Sequence, residues 1–425
     1  MTFPPGWVAV RVGDVARYIN GRAFKPEDWE SEGRPIIRIQ NLSRDGAPFN
    51  YTTKDVEERY IVEPGSLLAS WSATLDVYVW SGPQAVLNQH IFKVEPDLRL
   101  VTDRYIRWAL TNALAEMRAS EATHGTTMRH INRGPFVAHP FPLPPLAEQH
   151  RIVEAIEEYT SRLDAGVASL RRARRNLARM RASVLAAAVE GRLVEPEGEW
   201  ATVTMGEVVA DSLLGLVRSR AEQRATPPGV PYLKMDGIRT DGRILWDGMT
   251  YVSAGPGEVE RFALRDGDIL FNTRNSAELV GKTGLVIHPP QGTVFNNNIM
   301  RLRTVPAAMP AYLNAVMNST QFKDQMRAYK SATTSVAAVY AKDLMRLPVP
   351  LPSLPEQQRI VQEVDRQFSI LDAMEAAIDT GLARADRLRQ SILRDAFAGR
   401  LVPQDPADEP ASALLDRIAA GRTAR

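Results

Sequence analysis

Six histidines, no cysteine and 50 acidic side chains set the limits of any reaction chemistry in this 425-residue chain. The absence of cysteine excludes disulfides and thiolate metal sites and fits a reducing, cytoplasmic setting. The histidines, His90, His124, His130, His139, His150 and His288, show no spacing to carboxylates that suits a metal ion. No Ser-His-Asp arrangement stands out. Gly281-Lys282-Thr283 has the ending of a phosphate-binding loop, but Ser276 occupies the position where the loop needs its first glycine. His288-Pro289-Pro290-Gln291 is the nearest approach to the Asn- or Asp-Pro-Pro-aromatic loop of adenine methylation, and it departs at both ends. The chain is therefore expected to hold no catalytic residues, no metal and no cofactor of its own.

What the sequence does carry is a duplication. Residues 142–194 align without a gap on residues 350–402, at a constant offset of 208 (Pro142 against Pro350), and about 23 of roughly 53 positions match. Upstream segments echo one another as well. Residues 7–15 resemble 200–208, 35–39 resemble 231–235, and 86–91 resemble 294–299. Each duplicated stretch has apolar residues at steps of three and four, as one stripe of a helix requires. In the first the stripe runs Ile152, Ile156, Tyr159, Leu163, Val167, Leu170, Leu177, Met180, Val184 and Ala188, with Ala173 in the gap. In the second it runs Ile360, Val364, Phe368, Leu371, Ile378, Leu382, Ala385, Leu388 and Ile392. Persistence over about six heptads favours a coiled coil. Prolines at 142–145 and 350–355 block helix upstream, and Gly191 and Gly399 are placed to end it. Neither stripe can be buried alone, so the two helices are expected to pair antiparallel. Before each helix, strands are expected at 36–39, 66–70, 77–80, 269–272, 284–287 and 299–302, and helices at 105–119 and 312–329. Asp45-Gly46, Asp241-Gly242 and Asp266-Gly267 supply turns.

The segments therefore fall at 1–141, 142–196, 197–349, 350–402 and a tail at 403–425. The fold class is α+β: two mixed α/β domains separated by two long antiparallel coiled-coil helices, a pseudo-twofold internal repeat. A hydrophobic fraction of 44% supports real cores, and the net charge of +2 neither demands nor forbids nucleic acid. No apolar run reaches the roughly 18 residues of a membrane span, and no signal peptide is evident at residues 1–7.

Three features together resemble a known family. The helix opening Pro-Leu-Pro-x-Leu-x-Glu-Gln-x-Arg-Ile-Val occurs at Pro142 and Pro350, the closing Gly-Arg-Leu-Val at Gly191 and Gly399, and the tail begins Pro403-Gln404-Asp405-Pro406. Over essentially its whole length the chain resembles the specificity subunits of type I restriction–modification enzymes. That resemblance implies two target recognition domains, each reading one half of a split double-stranded DNA site. It implies helices that set the spacing and dock two modification (methyltransferase) subunits. Those partners use S-adenosylmethionine, and a restriction subunit using ATP and Mg can join them. A rigid spacer makes physical sense, because two half-sites read from one face of DNA stand about 34–36 Å apart. Deleting one heptad, 163–169 with 371–377, is expected to shorten the gap in the recognised sequence.

Under that reading the DNA-binding candidates are hydrogen-bonding side chains on loops, with basic residues near phosphates. In the first domain they are Arg38, Ser70, Trp71, Ser72, Gln89, His90, His124, Thr126, Thr127, Arg129 and His130. In the second they are Lys234, Asn272, Thr273, Arg274, Asn275, Lys282, Asn297, Lys330, Thr333 and Thr334. Lys25, Arg44 and Arg239 are further phosphate candidates. Asn88 and Asn296 occupy the same place in both repeats, so they are expected to brace a loop, since readers of different sequences should differ where they choose bases. The basic run Arg171, Arg172, Arg174, Arg175, Arg179 and Arg181 reads as a solvated helix face, with phosphates or an acidic partner as alternatives. Two other classes stay open at this point: an enzyme with its own recognition domains, and a coiled-coil scaffold that does not touch DNA.

Overall fold

The computed structural model describes residues 3–72, 74–121, 131–329, 331–332 and 337–423. The chain divides into two compact units, Met1–Ser169 with Gly381–Arg425, and Leu170–Thr380. Both divisions fall inside long helices, Leu146–Val189 and Leu354–Phe397, each of 44 residues. Each unit thus holds one globular repeat and a stretch of both helices.

The prolines ahead of each helix lie on short strands, Pro140–Leu143 and Pro348–Leu351, which pair antiparallel with Val8–Arg11 and Ala201–Thr204. Gly191 and Gly399 both have φ +68°, the left-handed conformation that costs glycine least. There Arg192 N donates to Ala187 O at 2.9 Å and Arg400 N to Asp395 O at 2.8 Å, capping the last carbonyls of each helix.

In the second unit the helices run antiparallel: Arg174 pairs with Asp379 at 3.3 Å and Arg181 with Asp372. In the first unit Arg389 pairs with Asp164, in the same sense. Just under half of the expected stripe is buried (Ile152, Ile156, Leu177, Ala188, Ile360, Val364, Leu371, Ile378 and Ala385), and Leu163, Val167, Leu170, Val184, Phe368, Leu382 and Ile392 are half-buried. Tyr159, Met180 and Leu388 are exposed, and Ala173 is exposed rather than filling the gap. A seam of two helices covers only the positions turned to the partner, so the edges of a wide apolar face stay in solvent.

The two globular repeats share a plan. In the first, an antiparallel sheet runs Ala16–Asn20, Ile91–Pro96, Leu67–Ser70, Asp76–Val79. Beside it, Arg34–Ile37 pairs parallel with Ala85–Leu87, flanked by Asn50–Thr52 and Ile61–Val62. In the second, the antiparallel sheet is Val209–Leu214, Ile299–Thr304, Ile269–Asn272, Thr283–Leu285, and Val230–Leu233 pairs parallel with Val294–Phe295. The expected strands are present with ends displaced by at most two residues, and the glycines of all three Asp-Gly turns have positive φ. The helix expected at 105–119 is Asp103–Glu121. The one expected at 312–329 is broken into Pro310–Asn318 and Thr320–Arg327. Ser319 causes the break: its backbone is extended (φ −65°, ψ 154°) and its hydroxyl accepts from Phe322 N, which starts a new helix.

Both cores reach onto the long helices. The first unit packs Tyr105, Phe136 and Phe141 with Ile152 and Ile156 from one helix and Leu393, Ala396 and Phe397 from the other. Its core also takes Ala411 and Leu414 from the tail helix Ala411–Thr423. The second packs Tyr312, Val316 and Phe322 with Leu185 and Ala188, and with Ile360 and Val364.

Candidate nucleic-acid interface

The doubled Glu-Gln of the helix openings anchors each globular repeat. Glu148 accepts from the Trp7 indole at 2.9 Å, and Glu356 from that of Trp200 at 3.0 Å. Gln149 accepts from Thr102 N and donates to Leu100 O, while Gln357 accepts from Met309 N and donates to Ala307 O. Tyr105 and Tyr312 donate to the carbonyls of Pro142 and Pro350, each at 2.8 Å. All four Glu and Gln side chains are buried, and buried polar groups persist only with partners in place. The motif that marks the repeat in sequence is thus a structural knot on which the loops above are held.

Those loops meet at one end of the sheets. The parallel pairing delivers Arg38 and the 88–90 loop to the same end, with Asn88 N donating to Ile37 O at 3.2 Å. The antiparallel register Ser70–Ile91 then places Trp71 beside His90. The Trp71 ring lies stacked on Phe92 (5.9 Å, 29°) and edge-on to His90 (4.8 Å), and its indole donates to Asn20 Oδ1 at 3.2 Å. His90 takes φ +74°, an uncommon conformation for a non-glycine residue. Gln89 beside it is exposed. The second repeat uses the same register: Asn272 opposes Ile299, and Thr273 N donates to Asn298 O at 2.8 Å. Asn296 N donates to Leu233 O, which brings Lys234 to the same end. Arg274 and Asn275 continue onto a small strand paired with Ala337–Ala338; Arg274 is exposed, and Asn297 is half-buried.

Several candidates are held inside the fold instead. Ser70 and Asn272 are fully buried; Ser70 Oγ bonds the backbone of Thr74 and Asp76. Ser72 and Thr273 are buried as well, and the Thr273 hydroxyl donates to Asn298 O at 3.0 Å. Lys282 donates to Met235 O at 2.7 Å and to Ile238 O, and burial holds its ammonium below the usual lysine range. Its donors clasp its own domain rather than face a phosphate. Arg38 lies over the Trp29 ring at 5.4 Å, half-buried. His124, Thr126, Thr127, Arg129, His130, Lys330, Thr333 and Thr334 lie outside the described residues.

The expected bracing role of the shared asparagines is present. Asn88 Oδ1 accepts from Phe24 N at 3.4 Å; Asn296 Oδ1 accepts from Asn298 N and its amide donates to the Tyr232 hydroxyl, both at 2.8 Å. Sequence reasoning missed Asn20 and Trp29, and it missed the glycines that let a neighbouring loop come close. A Cβ on Gly21 would sit 2.0 Å from Asn88 O, and one on Gly215 would sit 2.2 Å from Phe295 O. The recurrence of those two glycines just before the equivalent loops was the available signal. In the basic run, Arg174 and Arg181 are engaged by acids of the facing helix, while Arg171, Arg175 and Arg179 are exposed. Among the described residues no cluster of three or more metal-capable side chains occurs, and no helix is long and apolar enough to cross a membrane.

The family model of the type I restriction modification DNA specificity domain matches this chain twice, at residues 4–167 and 197–382. The chain belongs to that family. It is a specificity subunit with two DNA specificity domains, the non-catalytic member of a type I restriction–modification enzyme that works with DNA and other subunits. The EcoKI specificity subunit of Escherichia coli K12 is 28% identical, over 99% of this chain and 96% of its own length. The EcoBI specificity subunit of Escherichia coli is also 28% identical, over 98% and 93%. A chain from a study of complex assembly and conformational transition in a type I system shares the fold with a TM-score of 0.71 at 20% identity, covering 94% of this subunit and all of that chain. The HsdS subunit from Thermoanaerobacter tengcongensis aligns with a TM-score of 0.51, covering 94% and 98%.

Proposed function

We propose that this specificity subunit reads a two-part DNA target, one part with each globular repeat, and that the loop ends described above are the readers. The observation that carries this is the matched framework with unmatched tips. Equivalent strands, bracing asparagines and glycines recur, yet Trp71, Gln89 and His90 stand where the second repeat has Thr273, Asn297 and Asn298. A shared scaffold with different hydrogen-bonding and stacking groups is what two different base sequences require. Trp71, Gln89, His90, Arg274, Asn275 and Asn297 are proposed to face bases, with Arg38 and Lys234 near phosphates. Ser70, Ser72, Asn272, Thr273 and Lys282 shape the loops from beneath. The long helices serve as spacer and as docking surface for two modification subunits, which supply S-adenosylmethionine and methylate adenine. A restriction subunit using ATP and Mg completes the cleaving form, in the cytoplasm.

The test is genome-wide adenine methylation in the host with and without this gene. Loss of methylation at one motif with two defined parts and a fixed gap is the expected result; methylation at a continuous motif, or no change, overturns the reading.

A further inference from the structure

The two repeats differ in how the globular domain meets the helices. The ion pair Arg181–Asp372 recurs 208 residues away as Arg389–Asp164, so each unit has the same charged rung between its helix segments. Among the described residues, further charges join it in the second unit only. Arg181, only 14% exposed in its side chain, also bonds Glu375 at 3.2 Å and lies over the Phe368 ring at 5.3 Å. Arg243, on the Asp-Gly turn of the globular domain, reaches Glu375 at 3.1 Å and Asp372 at 3.8 Å. Asp241 holds Arg243 from the other side at 2.9 Å.

Both members of that link are missing from the first repeat. The position matching Glu375 at the offset of 208 is Val167, and the position matching Arg243 in the aligned turn (Asp241-Gly242 over Asp45-Gly46) is Ala47. Arg44 and Asp45 of that turn are exposed. Loss of a single charge could be drift, but paired loss of a cation and its anion marks one interaction present in one half only. The rest of that domain packs on the helices through its apolar core, but at the turn the contact is charged. Behind the turn lies a cleft of about 370 Å³, lined by Trp246, Leu285, Asn318, Val364 and Phe368. Within it, Asn318 Oδ1 is buried without a partner among the described residues. The turn therefore meets the helix through charges at the rim of a cleft.

We propose that the Arg243–Glu375 bridge is a positioning device that fixes the seat of the second recognition domain on its helix, and so sets how strictly the gap before the second half-site is measured. This rests on the two-part reading proposed above. A head that rocks on its seat accepts more than one spacing while its base-reading loops stay intact.

The experiment uses the full chain with its modification subunit. Arg243→Ala, Glu375→Ala and the double variant are compared on DNA with the native gap and with gaps one base pair longer or shorter. Amide exchange of residues 239–246 is followed in parallel without DNA. Each single variant is expected to speed exchange in the turn and to lower the preference for the native gap by roughly threefold to tenfold, the range of a networked, partly screened ion pair. Base preferences within the second half-site should not move, and the double variant should change both readouts no more than a single one, because either change alone already breaks the bridge. Unchanged exchange in the single variants, additive effects in the double variant, or altered base preference overturns the proposal. If the parent protein itself shows no gap preference, the two-part reading fails, and the exchange data alone then decide whether the bridge seats the domain.

Discussion

At the scale of residues, the tips of the two repeats divide into side chains that shape and side chains that face outward. Trp71 is held by Phe92, His90 and Asn20 with its ring at the loop end, an arrangement that presents a flat apolar surface with little entropy left to lose. Trp71→Ala removes that surface without touching the Glu148–Trp7 knot. It should relax base choice in one half-site by about tenfold, the usual penalty of one lost base contact. Arg274→Ala, at an exposed position of the second repeat, should relax only the other. Methylation of oligonucleotides with single substitutions in either half measures both effects, and a variant that weakens both halves equally would show that its residue holds the fold rather than reads a base.

At the scale of elements, the antiparallel register corrects the partner of a spacer deletion. Matching repeats by sequence pairs 163–169 with 371–377, but Asp164 faces Arg389, so the segment opposite 163–169 is 384–390. Removing these two facing heptads together keeps the Arg174–Asp379 and Arg181–Asp372 rungs in place. Seven residues of helix are about 10 Å, close to three base pairs of DNA. The recognised gap should shorten by about that amount, read by methylation sequencing of the host; an unchanged gap would remove the helices from the measuring role. The broken helix at Ser319 teaches the opposite lesson about local signals. A hydroxyl that accepts one backbone N–H ended a helix that apolar periodicity continued through, because capping is decided by a single hydrogen bond and periodicity by many weak ones.

At the scale of the whole chain, the tail belongs to the first unit. Ala411 N donates to Gly6 O at 2.9 Å, Gln404 donates to Glu148, and Arg151 pairs with Asp408. The same places in the second unit are covered by the connection after Gly191, where Glu197 N and Trp200 donate to Glu356. One half closes its knot with contiguous chain and the other with the two chain ends. Truncation after residue 402 uncovers Leu414 and Ala411 sites and leaves Glu148 short of a donor. It should destabilise the first unit by about 2–4 kcal/mol, as expected for a lost buried side chain and hydrogen bond, while the second unit is unaffected. Amide exchange resolved by unit checks this: faster exchange in both units alike would contradict the assignment.

The sequence alone determined the duplication, the period and length of the two helices, their glycine ends, the strands and the Asp-Gly turns. All of these are set by local chemistry: a φ that only proline or glycine tolerates, or a repeat of apolar residues that must be buried. It also marked Asn88 and Asn296 as braces, because a residue shared by two divergent copies must serve what the copies share. What the tertiary structure decided is where side chains far apart in the chain meet. Ser70, Asn272 and Lys282 have the chemistry of DNA readers and are turned inward, since burial depends on the register of strands brought from elsewhere. The Glu-Gln of each helix opening finds its Trp 141 and 156 residues away, and Arg243 finds Glu375 at a separation of 132. Partners at such distances leave no periodic trace in a single sequence, because the free energy that joins them comes from packing the whole unit rather than from their neighbours along the chain.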